Sequence, residues 1–332
     1  MNNTTLIIGN GFDLALKLKT SYRDFVNSDY WPITPTPANV HSERCLQNEV
    51  HMFTQEHIDP KSGEVQWIDI EGIIKDYALC RKEEENSPIG RVSEEIIKKD
   101  KMFLDTLKAS FTKYLSSNVK VLIQPGMKGI SQHLIDVIKA IYEKDCATVI
   151  YSFNYTDTGS IFSHYFNWMN PKVTHIHGRA FTKNPDIVLG VNDRNAVPKS
   201  QRYFLKAHQD GFKSNNLFED LKTSDTVIFY GLSFGGNDMD YFDKYFKSIM
   251  TEYNSNIPKK TICIFTKDSN SISAIKSFFE DADVSIRDLY LYSDLRFYAT
   301  DKFGDNGDGD AELKSFEKLM VRKKQYYISD IL

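Results

Sequence analysis

Thr4-Thr5-Leu6-Ile7-Ile8-Gly9-Asn10-Gly11-Phe12-Asp13-Leu14 is the stretch from which the fold is read. A β-branched and aliphatic run meets two glycines, and the spacing predicts a short buried strand, a tight turn and a helix over about residues 12–19. Glycines in such a turn let backbone N–H groups approach a pyrophosphate, and a helix start favours an anion. The dinucleotide fingerprint is incomplete, because Leu14 stands where its third glycine belongs. No strand ending in a ribose-binding acid follows about 20 residues later, which argues against an ordinary nicotinamide dehydrogenase.

Outward from this unit the strand-like pattern returns only at residue 147, with short apolar runs at Thr148–Ser152, Val173–Ile176, Ile187–Gly190, Thr226–Tyr230 and Thr261–Phe265. Three of them lead into helix-like segments at about 157–168, 239–250 and 270–280, so the fold expected is α/β, with an open Rossmann-like parallel sheet. Between the two regions lies a mainly helical insertion, 28–146. Pro32, Pro35, Pro37 and Pro60 argue against long elements over 28–66. Apolar residues at three-to-four spacing predict helices over 69–81, 92–116 and 129–144, with a solvated loop at Lys82 to Gly90. The domains expected are a core of 1–27 with 147–310, the insertion, and an amphipathic helix over 311–332.

The 332 residues are 41% hydrophobic, and 41 Lys and Arg against 45 Asp and Glu give a net charge of -4. There is no basic surplus for duplex nucleic acid. No apolar run is long enough to cross a bilayer or to serve as a signal peptide. The four cysteines, Cys45, Cys80, Cys146 and Cys263, lack the spacing of a zinc knuckle, and a reducing cytoplasm is the expected location.

In an open parallel sheet, ligands meet the loops at the carboxyl ends of the strands. Those loops carry Gly9-Asn10-Gly11-Phe12-Asp13, then Asn154 within Ser152–Asp157, then His175-Ile176-His177-Gly178, then Gly231-Leu232-Ser233-Phe234 with Asp238. Asn154 reads either as a ligand-orienting amide or as the cap of the next helix. Strand alternation puts His175 and His177 on one face, where they suit a metal, a catalytic role or a structural one. Trp67 and Glu71, one helical turn apart, read as packing plus a surface charge.

In order, the opening block, Trp67-Ile68-Asp69-Ile70-Glu71, Phe153-Asn154-Tyr155-Thr156, His175-Ile176-His177-Gly178 and Gly231–Asp238 resemble the AbiH family of bacteriophage abortive-infection proteins, over about residues 4–245. They are also similar in kind and order to the sirtuin-like fold, and this second resemblance implies NAD as substrate, with no metal. It implies that Asn154 and His177 are catalytic and flank the nicotinamide ribose. It makes Gly9, Asn10, Gly11, Phe12, Asp13, Gly231, Ser233, Phe234 and Asp238 the cofactor-binding positions. Thr156 departs from the family pattern by standing where an acid is usual, with Asp157 adjacent; Asp13 stands where the deacetylases have a small hydroxyl residue. Without paired cysteines for a zinc module, deacetylation is not expected.

The resemblance therefore implies an NAD glycohydrolase, restrained at rest as a homo-oligomer or by the insertion, and released by an unidentified phage trigger. Two other readings are a metal-dependent phosphodiesterase or nuclease, built on His175 and His177 with Asp157, Asp193 or Asp238, and a non-catalytic sensor of NAD or ADP-ribose.

Overall fold

The computed structural model describes residues 3–33, 44–87, 92–119, 132–142, 148–168, 171–193, 196–214, 216–235, 238–251, 258–303 and 311–320. In chain order the elements are β1 (Thr4–Ile8), α1 (Asn10–Ala15), α2 (Tyr22–Val26), α3 (Leu46–Glu56), α4 (Ile70–Asn86), α5 (Glu94–Val119) and α6 (Gln132–Tyr142). There follow β2 (Thr148–Ser152), α7 (Thr158–Phe166), β3 (Val173–His175), α8 (Leu217–Thr223), β4 (Thr226–Tyr230) and α9 (Asp243–Thr251). The last are β5 (Thr261–Thr266), α10 (Ser269–Asp281), α11 (Ile286–Tyr292) and β6 (Asp294–Ala299). Residues 311–320 are helical, and the rest of the expected tail helix lies outside the described residues.

The strands form one six-stranded sheet in the order β3-β2-β1-β4-β5-β6, with every pairing parallel. This is the open α/β architecture expected from the sequence. β1, β4 and β5 are buried along their whole length, which is why they read as unbroken apolar runs rather than alternating ones. In this order the chain reverses direction across the sheet between β1 and β4. Ligands of open sheets bind at such a switch point.

The chain divides into two compact units. One comprises Met1–Leu18, Ile123–Ile176 and Lys213–Leu332 and contains the sheet; the other comprises Lys19–Leu122 and His177–Phe212 and contains α2 to α5. The helical unit is centred on rings, with Phe25 against Phe111 at 4.9 Å and Tyr114 at 5.5 Å. A buried carboxylate staples it. Asp100 accepts from the Leu46 amide (2.8 Å), the Tyr77 hydroxyl (2.6 Å) and the Gln201 side chain (2.6 Å), joining α3, α4, α5 and the 3₁₀ turn Lys199–Phe204. Burial pushes the Asp100 carboxyl above the usual carboxylate range, and these donors oppose that.

Several local expectations are corrected. A three-turn helix, α3, stands inside 28–66, since its prolines flank residues 46–56 and leave that stretch free of breakers. The expected loop from Lys82 instead continues α4 to Asn86, because Lys and Glu are good helix formers and no breaker intervenes before Pro88. Ile187–Gly190 is not a strand; Val188 donates to the His177 carbonyl (2.9 Å) and residues 187–190 run as a buried loop. β3 ends at His175, so strand alternation does not carry through to His177. β6 and α11 were not anticipated from the pattern.

Candidate functional site

At the switch point the loops after β1 and β4 meet backbone to backbone. The Gly9 amide donates to the Tyr230 carbonyl (2.9 Å) and the Gly11 amide to the Gly231 carbonyl (2.8 Å). A Cβ on Gly11 would lie 2.6 Å from the Gly231 Cα, and Gly231 has φ +69. Only glycines allow this approach. It also revises the reading of these amides as phosphate donors, because those of Gly9 and Gly11 are spent on the neighbouring strand end, and that of Phe12 donates to the Gly9 carbonyl at 3.0 Å.

The other positions in these loops separate by burial. Phe12 is a core ring, edge-on to Phe162 at 5.6 Å and Tyr230 at 6.0 Å. Phe234 is wholly buried against Phe229 (5.0 Å) and Phe279 (5.1 Å) and holds φ +59. Such a backbone is rare for a bulky residue, and the surrounding rings enforce it here. Both phenyl rings are turned into the core. Asn10 and Ser233 are exposed, while Gly231 and Asp238 are half-buried.

Beside the β1 turn a polar cluster is buried at the carboxyl end of β2. The Asn154 amide nitrogen donates to the Asp13 carboxylate (2.9 Å) and to the Gly9 carbonyl (3.1 Å). The Thr156 hydroxyl donates to both Asp13 oxygens, at 3.0 and 3.2 Å. Both acceptors require the nitrogen, so the amide orientation is fixed, and Asn154 can offer a ligand only its carbonyl oxygen, Oδ1. The following helix, α7, is capped by Asp157, which accepts from the Ser160 amide at 3.2 Å; Asn154 is not its cap. Asp13 thus accepts from both Asn154 and Thr156. The two departures noted in the sequence, Asp13 and Thr156, are hydrogen-bonded partners. His175, also in this unit, donates from Nδ1 to the Asn154 carbonyl at 3.3 Å.

His177 belongs to the helical unit, where it is buried with two charges. Lys206 Nζ lies 2.7 Å from Glu71 Oε2 and 3.3 Å from His177 Nε2, and the lysine side chain is wholly buried. Sequence reasoning missed Lys206, which carries no local signal. It also inverted the Trp67–Glu71 pair, since Trp67 is 58% exposed and Glu71 is the paired, largely buried group. Burial pushes the Glu71 carboxyl upward, and Lys206 counters this.

Lys206→Met therefore strands a carboxylate. Removing one partner of a buried pair costs up to about 3–5 kcal/mol, and because Glu71 can take up a proton the expected loss is near the lower end, about 3 kcal/mol. A group whose folded pKa is raised loses stability as pH rises, so in urea unfolding the deficit of the variant shrinks as pH falls toward the ordinary glutamate range. A deficit that does not change with pH would count against a stranded Glu71.

Among the described residues no three His, Cys, Asp or Glu side chains are grouped to hold a metal ion, and no helix is long and apolar enough to cross a membrane.

The sheet order, the glycine-tight switch point and the buried Asp13–Asn154–Thr156 cluster define a Rossmann-like α/β protein with chemistry-bearing side chains at its strand ends. Residues 5–258, well over half of the chain, match the family described as bacteriophage abortive infection AbiH. The chain belongs to that family, and with it to proteins of phage abortive-infection defence. No curated protein and no solved structure matches it significantly.

Proposed function

We propose that the chain is a sirtuin-like NAD glycohydrolase that depletes NAD when phage infects the cell. The observation that carries this reading is the clamped amide of Asn154, held by Gly9 and Asp13 beside the switch point of a sheet whose strand order suits dinucleotides. The nicotinamide–ribose bond breaks through an oxocarbenium-like state, and the leaving nicotinamide needs no proton. The chemistry then asks for an oriented acceptor near the ribose and for negative potential around the developing cation. Asn154 Oδ1 orients a ribose hydroxyl or the attacking water, and the Asp13 carboxylate behind it favours the positive charge; His177 enters this reading through the sirtuin-like resemblance alone. Asn10, Gly231, Ser233 and Asp238 contribute the loop surface met by the dinucleotide.

The test is incubation of purified protein with NAD, chromatography of the products, and the same assay with Asn154→Ala and His177→Ala. Formation of ADP-ribose and nicotinamide, lost in folded variants, supports the reading; unchanged turnover in both removes it. Turnover is expected to persist in excess EDTA, whereas a His/Asp metal site would lose activity with its ion. In infected cells, NAD is expected to fall with the wild type and to hold with His177→Ala.

A further inference from the structure

We infer that Glu71 and Lys206 hold His177 as a neutral imidazole with its hydrogen on Nδ1, which makes Lys206 a positioning residue for that histidine. An ammonium only donates, so His177 Nε2, 3.3 Å from Lys206 Nζ, has to be the accepting, unprotonated nitrogen. The single ring hydrogen then lies on Nδ1. An imidazolium would set an N–H against the ammonium and place two like charges side by side in a buried setting, which the surroundings penalise.

The lysine has little freedom to leave. Its side chain is wholly buried, its backbone amide donates to the Val191 carbonyl (2.9 Å), and the Val191 amide donates to the Phe204 carbonyl (2.8 Å). Gln209 ties the same loop from the other side, its side chain donating to the Leu189 carbonyl at 2.8 Å and accepting from Lys108 at 2.9 Å. Glu71 is fixed by its place in the first turn of α4, behind the Asp69 cap, and its second oxygen faces the Gly190 amide at 3.5 Å. Three side chains from distant parts of the sequence thus form a chain of hydrogen bonds, Glu71 to Lys206 to His177.

The test is nitrogen NMR of protein labelled at histidine, with the His177 signals assigned by their absence in His177→Gln. The expected spectrum shows His177 protonated at Nδ1 and bare at Nε2. In Lys206→Met, and in Glu71→Gln/Lys206→Met, which strands no charge and guards against misfolding, His177 is expected to move to the Nε2–H form or to a mixture. A wild-type spectrum protonated at Nε2, or an unchanged His177 in the folded double variant, overturns the inference.

An activity arm rests on the proposed NAD hydrolysis. There His177, with Nε2 taken by Lys206, acts through its Nδ1–H, and the double variant is expected to lose about 10-fold to 100-fold in kcat with a smaller change in KM, the size of effect that misplacing an oriented group produces. Absence of turnover in the wild type would remove the proposed function and leave the NMR result to decide this inference alone.

Discussion

Asn154→Ala is expected to lower NAD hydrolysis by about 10²–10⁴-fold, the range for removing a positioned acid–base or orienting group. The alternative explanation of such a loss is collapse of the buried cluster, and the network offers a control. Asp13 accepts from two side chains, Asn154 and Thr156. Removing either donor leaves the carboxylate short of one hydrogen bond, at about 1–3 kcal/mol. Thr156→Val imposes that structural cost but leaves the Asn154 amide pinned to Asp13 and Gly9. It is therefore expected to destabilise in urea titration, by less than Asn154→Ala, which also loses the bond to Gly9, while losing no more than about tenfold in turnover, an amount below the orienting contribution. Equal activity losses in the two variants would mean that Asn154 acts through stability alone.

The second large effect concerns the fold itself. Gly231→Ala is expected to cost about 4 kcal/mol, read as a drop in urea midpoint. The left-handed backbone at φ +69 contributes about 1–2 kcal/mol for a residue with a Cβ. The Cβ would also lie 2.4 Å from the Phe12 nitrogen and 2.6 Å from the Gly11 carbonyl carbon. Those are backbone atoms that cannot rotate away, and overpacking of this kind costs about 1–3 kcal/mol more. Against the ~5–15 kcal/mol that hold a typical domain together, this is a large fraction. A loss under about 1 kcal/mol would mean that the two loops can separate cheaply, contrary to the hydrogen bond from the Gly11 amide to the Gly231 carbonyl.

Much of the sheet was legible in the sequence because its central strands are buried on both faces. Continuous apolar runs such as Thr226–Tyr230 have few other readings when a glycine loop follows. The edge strand β6 was not legible. Its sequence, Asp294-Leu295-Arg296-Phe297-Tyr298-Ala299, mixes charge with rings, and the Asp294–Arg296 pair at 2.9 Å sits on the half-buried edge that pattern reading takes for loop. The run Ile187–Gly190 misled in the opposite direction, since it is apolar because it is buried, not because it is paired in the sheet.

Of the candidate site, the sequence alone determined where the glycine turns and strand-end amides stand, because these are set by local backbone requirements. Tertiary structure alone decided what each side chain faces. Asp13 and Thr156 are far apart in sequence yet share a hydrogen bond, the Phe12 and Phe234 rings turn into the core, and Lys206 reaches Glu71 from 135 residues away. The physical reason is that a local pattern fixes φ, ψ and burial, whereas a buried polar group must find its partner wherever the chain brings one, and that choice leaves no periodic trace.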